Sequence, residues 1–178
     1  MKQDEPVVDV FLQPGDFYFG GRDVRIRTLL GSCISIVMWH PRLLIGGMCH
    51  YMLASRGKNF SNLDGRYGDE AILKFFIEAI RNNSNPNDYI VKIFGGGKML
   101  TRSKVHVPCA DKHCDEVIDT CRNVSCKNVV KGVSLLEDYG FSISSKDLGG
   151  TVSRTIIFDI SSGDVWVRKN AGAQNDKK

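Results

Sequence analysis

Alternating apolar and polar positions dominate the first fifty residues and predict strands. In "VVDVFLQ" (7–13) and "DVRIRTLL" (23–30) apolar side chains recur at alternate or near-alternate positions, as half-buried strands require. Val24, Ile26, Thr28 and Leu30 share one face of the second run. Gly31 and Ser32 break it, and "CISIVMW" (33–39) follows as a continuous run rich in β-branched and large apolar residues, the pattern of a more buried strand. "HPRL" makes a turn and "LLIGGMCHYMLA" (43–54) returns. The last two strands predict a hairpin-like pair with Cys33 at one end and His50 late in the returning strand.

Beyond this point the period changes. Residues 54–66, "ASRGKNFSNLDGR", are polar and read as a loop able to overhang a site. In "GDEAILKFFIEAIRNN" (68–83), Ala71, Ile72, Phe75, Phe76, Ala79 and Ile80 form a helical stripe, with Asp69 near its start. "YIVKIFGGG" (89–97) is a strand running into glycines. A second helix over 128–140 carries Val129, Val130, Val133 and Leu136 and ends at Gly140, a suitable left-handed cap. Strands are expected in "FSISSKDLGG" (141–150), "SRTIIFDI" (153–160) and "DVWVRK" (164–169), the last two joined by the turn "SSGD". The order predicts one mixed α+β domain over 1–169, a layered sandwich of mixed sheet with flanking helices, and a disordered tail over 170–178.

Charge and cysteine usage narrow the function classes. The net charge of +4 is scattered and partly in the tail, with no arginine-rich block, so solubility rather than nucleic-acid binding is expected. No apolar segment approaches the ~18 residues of a membrane span. The N-terminus "MKQDEPVVDVFLQPGD" has acids and a proline where a secretory signal needs an apolar core, so a cytoplasmic protein is expected. There, cysteines are free, catalytic or metal-binding more often than disulfide-bonded.

Taken singly, a buried cysteine is a small hydrophobe and a strand histidine a core residue. Context changes that reading for Cys33 and His50. Backbone amides around Gly31, Ser32 and Cys33 can point at a developing oxyanion, and Gly46–Gly47 before His50 leave room for a substrate backbone. Adjacent strand residues face opposite sides, so if His50 faces Cys33 then Cys49 does not. The arrangement supports acyl transfer through a thioester, with Cys33 attacking and His50 moving the proton. A third group normally orients the imidazole, and Thr28, Asp69 and Asp147 are the candidates.

"TLLGSCISIVMW", "GGMCHYML", "RYGDEAI", "VKIFGGGKML", "DLGG" and "SGDVWV" occur in this order, and together they resemble the bacterial chemoreceptor glutamine deamidases, the CheD family, over roughly Val7 to Arg168. The resemblance implies Cys33 and His50 as the catalytic pair and Thr28 as the third member. Ser32, Gly31 and Gly47 are the candidate oxyanion and substrate-binding positions. It implies conversion of glutamine side chains on methyl-accepting chemotaxis receptors to glutamate with release of ammonia. The same thioester route would hydrolyse receptor methyl esters. The implied fold is that of the cytotoxic necrotizing factor-like hydrolases, without metal or organic cofactor. A CheC-type phosphatase is an implied partner, and a non-catalytic regulator is the rival reading. A monomer is expected, since no long heptad or exposed apolar helix is evident.

Two other motifs carry less. The segment 104–128 is longer than the family leads one to expect and holds Cys109, Cys114, Cys121 and Cys126 with His106 and His113. Its spacings lack the tight CxxC knuckles of zinc sites, so an unliganded loop or short helix is expected. "FGGGKML" lacks the spacing of a phosphate loop, and its glycines are expected to let backbone pass close to the site strands.

Overall fold

The computed structural model describes residues 7–57, 62–99 and 123–170. The alternating segments form strands β1 (Val8–Phe11), β2 (Phe17–Gly21) and β3 (Val24–Leu30). The apolar hairpin forms β4 (Ile34–His40) and β5 (Ile45–Cys49). Helix α1 (Gly68–Arg81), β6 (Ile90–Gly95), α2 (Val124–Asp138), β7 (Ile143–Leu148), β8 (Ser153–Asp159) and β9 (Val165–Asn170) complete the chain.

The strands make two mixed sheets, ordered β1-β3-β8-β9 and β2-β5-β4-β6-β7. On β3, Val24, Ile26, Thr28 and Leu30 are all buried, the face their alternation predicts. They meet Val37, Met48 and Phe94 of the five-stranded sheet, with Ile156 and Phe158 from β8, in a core between the sheets. The opposite face of the five-stranded sheet presents Ile34, Ile36, Met38, Cys49, Tyr51, Val91 and Ile93 to Ala71, Ile72, Phe75 and Ala79 of α1 and Leu136 of α2. Both helices therefore pack against one sheet, giving three layers. Burying a side chain such as Phe75 or Ile72 in that seam contributes roughly 1.5–3 kcal/mol.

Three local expectations differ. Ile80, on the predicted helical stripe, is 56% exposed because it lies in the last turn of α1. Helix α2 starts at Val124, not Asn128, because the Asn123 side chain accepts the Cys126 amide and caps it. Cys126 is consequently a buried helix residue. Strand β2 has no forecast at all. Its Phe17 and Phe19 pack on the helix side and Tyr18 on the inter-sheet side, so no polar alternation marks it.

The predicted glycine cap holds: Gly140 has φ +81°, and the amides of Gly140 and Phe141 donate back to Glu137 and Leu136. Cys109, Cys114, Cys121, His106 and His113 lie outside the described residues. So does the segment 171–178 of the expected tail, while β9 extends through Asn170. Among the described residues, no helix is long and apolar enough to cross a membrane.

Candidate active site

Cys33 lies in the turn Gly31-Ser32-Cys33, where the chain leaves β3 in one sheet and enters β4 in the other. The turn is held by glycine amides. Gly96 donates to the Cys33 carbonyl and Gly97 to the Gly31 carbonyl, each at 2.9 Å. Among the described residues no backbone carbonyl accepts from the amides of Ser32 and Cys33, which leaves two adjacent donors beside the thiol.

His50 follows β5 directly. Its amide donates to Asp16 at 3.0 Å and its carbonyl accepts the Gly15 amide at 2.7 Å, so the β1–β2 connection fixes its backbone. Val37 pairs with Met48, and Ile34 bridges Tyr51. That register makes Cys33 and His50 diagonal neighbours on one face, a relation that typically spans about 7–8 Å between Cα atoms. Cys49 and Tyr51 pack into the helix-side core, whereas Cys33 packs against the core between the sheets.

Thr28 reaches His50 across the gap between the sheets. Its Oγ1 donates to the Leu12 carbonyl at 2.9 Å and lies 2.8 Å from His50 Nδ1. With its only proton committed to Leu12, the hydroxyl oxygen must accept, so the imidazole carries its proton on Nδ1. The basic lone pair is then on Nε2, which is buried and has no hydrogen-bond partner among the described residues.

Burial sets the resting protonation. It lowers the His50 pKa, against smaller opposing effects of the Leu12 carbonyl and Asp16. It raises the Cys33 pKa, against hydrogen bonds from the Ser32 side chain and the Cys33 amide. The pair at rest is therefore thiol and neutral imidazole, which suits a general base. Cys49, wholly buried, is pushed up to about 12 and is chemically inert by comparison.

The other candidates sit elsewhere. Asp69 Oδ1 accepts the Glu70 amide at the start of α1. Asp147 is held by Arg154 at 2.9 Å and Lys169 at 3.1 Å, so neither acid bonds the imidazole. The space beside Gly46 and Gly47 is occupied. A Cβ would stand 2.5 Å from the Met38 carbonyl oxygen at Gly46 and 2.2 Å from that of Tyr18 at Gly47, so these glycines admit neighbouring strands rather than a substrate. Gly31 lies in the Cys33 turn with Met99 packed over it.

Sequence reasoning missed Leu12 and the Gly15–Asp16 turn. The only signal was "PGD", a turn motif whose proximity to His50 depends on β2 pairing with β5. Among the described residues, no three His, Cys, Asp or Glu side chains cluster as a metal site would.

Residues 52–169 match the family model CheD, described as CheD chemotactic sensory transduction. A Pseudomonas fluorescens protein named "Probable chemoreceptor glutamine deamidase CheD" is 41% identical over 168 residues, covering 94% of this chain and 88% of its own. The chain belongs to the CheD family. A relative with the same printed name from Pseudomonas syringae pv. tomato is 40% identical and covers 94% of this chain and 93% of its own. The CheD-family relative "Probable chemoreceptor glutamine deamidase CheD 1" of Leptospira interrogans is 36% identical, covering 94% of this chain and 96% of its own. Among solved structures, Bacillus licheniformis hypothetical protein YfiH superposes with a TM-score of 0.45 at 15% identity. That likeness covers 76% of this chain, which spans 50% of the length of that protein.

Proposed function

We propose that this CheD-family chain is a protein-glutamine deamidase acting on methyl-accepting chemotaxis receptors. The observation that carries the reading is the Thr28–His50 hydrogen bond, which leaves Nε2 without a partner among the described residues, on the face shared with Cys33. The names of its relatives support the substrate class.

In this mechanism His50 Nε2 takes the Cys33 thiol proton as Sγ attacks the glutamine Cδ. The oxyanion is received by the amides of Ser32 and Cys33. Collapse expels the amide nitrogen, which takes the proton back from His50 and leaves as ammonia. Water then hydrolyses the thioester to glutamate. Glutamate methyl esters enter the same route, with methanol as the leaving group. The protein acts in the cytoplasm as a monomer, without cofactor, and a CheC-type phosphatase is its regulatory partner.

The test is peptide mass spectrometry of a chemoreceptor cytoplasmic fragment incubated with wild-type protein and with Cys33→Ala. Wild type should add about one dalton at defined glutamines, the difference between NH2 and OH. Cys33→Ala should fold normally and lose on the order of 10³-fold or more in rate. An unchanged fragment in both reactions would favour a non-catalytic receptor-binding regulator instead.

A further inference from the structure

Ser35 follows Cys33 by two residues on β4, so the strand period puts both on one face. The register that pairs Val37 with Met48 and Ile34 with Tyr51 sets Ser35 directly opposite His50. Ile34 and Tyr51 exchange both backbone hydrogen bonds, at 3.0 and 2.9 Å. The next pair, Ser35 and His50, is therefore of the type without mutual backbone bonds, in which facing side chains come closest. Consistently, the His50 backbone bonds in the other direction, to Gly15 and Asp16.

Ser35 is 0% exposed. Its Oγ and His50 Nε2 are both buried without a hydrogen-bond partner among the described residues. The immediate neighbours of Ser35 on this face are apolar: Phe94 stands beside it on β6, and Val37 and Met48 form the next pair. Burying a hydroxyl without a partner is destabilising, so its retention here calls for a transient partner. Two such atoms on directly opposed residues beside Cys33 suit a water molecule, whose remaining contact would be the group on the thiol.

We propose that Ser35 Oγ and His50 Nε2 together hold the water that hydrolyses the Cys33 thioester. This rests on the deamidase reading above. Once ammonia has left, the water oxygen attacks the thioester carbonyl carbon while His50 Nε2 takes one of its protons. Ser35 orients the oxygen. The tetrahedral intermediate collapses with cleavage of the carbon–sulfur bond, and the departing thiolate recovers its proton from His50. Glutamate is released with no external oxidant or metal. Thr28 and Ser35 thus serve the two nitrogens of one ring, the first fixing the tautomer and the second directing what the free nitrogen activates.

The experiment is rapid-quench ammonia release with a chemoreceptor cytoplasmic fragment, paired with intact mass of the enzyme, for wild type and Ser35→Ala. Ser35→Ala should release a first equivalent of ammonia near the wild-type rate. A slow phase should follow, reduced on the order of 10- to 100-fold. Over that phase a Cys33 adduct, the fragment less ammonia, should accumulate, and added hydroxylamine should clear it and restore turnover. The melting temperature of Ser35→Ala should equal or exceed that of wild type, since an unsatisfied hydroxyl is removed. Unchanged phases would overturn the proposal, leaving Ser35 as a small packing residue. Equal slowing of both phases without adduct or hydroxylamine response would overturn it too, as would a lowered melting temperature, which means a structural partner for the hydroxyl. Wild-type protein that releases no ammonia overturns the deamidase reading itself, and this inference with it.

Discussion

Thr28 Oγ1 and His50 Nδ1 stand 2.8 Å apart, although the two residues belong to different sheets. The contact ties the sheets at the point where the chain crosses between them, and it selects the imidazole tautomer. A hydroxyl suffices for this because the neighbouring Leu12 carbonyl removes its choice of donor or acceptor.

Removing the hydroxyl at constant shape isolates its contribution. Thr28→Val strands the Leu12 carbonyl and the Nδ1 proton, which should lower stability by about 1–3 kcal/mol. The deamidation kcat should fall about 10- to 100-fold, part of what a positioned base supplies, with KM little changed. Thr28→Ser should stay within a few-fold of wild type. A loss in Thr28→Ser with Thr28→Val near wild type would show that the methyl group, not the hydroxyl, matters.

The pH profile follows from burial. His50 must be neutral to accept the thiol proton, and its pKa lies below the ordinary 6.5. The acid limb of kcat/KM should therefore fall below pH 6.5 and the profile be flat through neutrality. Stability moves in the same direction. Below 6.5 the unfolded histidine binds more protons than the folded one, so folding weakens as pH falls through that window. An acid limb above pH 7 would contradict a buried neutral imidazole.

Gly95 is a glycine whose replacement should be felt directly at Cys33. It has φ +115°, and a Cβ there would lie 2.2 Å from the Cys33 carbonyl oxygen. Gly95→Ala should cost about 2 kcal/mol or more and displace the thiol, reducing activity further than the stability loss explains. Gly150→Ala is the control. It has φ +73° but its nearest contact, Arg154, is 4.0 Å away, so only the left-handed backbone penalty of about 1–2 kcal/mol applies. Melting curves and ammonia release separate the two.

Arg154 braces the loops behind the turn. Its guanidinium donates to Asp147 Oδ1 and to the carbonyls of Gly149 and Val152. Gly149 and Gly150 are in turn bonded to Gly95 and Lys98, in the loop that holds Gly31 and Cys33. The Arg154 side chain is 3% exposed but that of Asp147 27%, with Lys169 as a second partner. Arg154→Met should therefore cost about 2–3 kcal/mol, below the range for a fully buried pair. Denaturant unfolding measures it, and a cost near zero would show that Lys169 alone holds the loop.

Much of this protein was determined by its sequence alone. Strict alternation on β3 identified Thr28 as inward-facing, and the β4–β5 hairpin brought Cys33 and His50 to one face, because strand period and antiparallel register are local properties. The helical period gave α1 its apolar stripe through Ala71, Ile72, Phe75 and Ala79. What alternation cannot state is which surface an inward face meets. Only the packing of the two sheets brought Thr28, rather than Asp69 or Asp147, to the imidazole, and only the pairing of β2 with β5 filled the space beside Gly47. These contacts join residues far apart in the chain, and each was decided by apolar burial over whole faces rather than by any preference of the residues concerned.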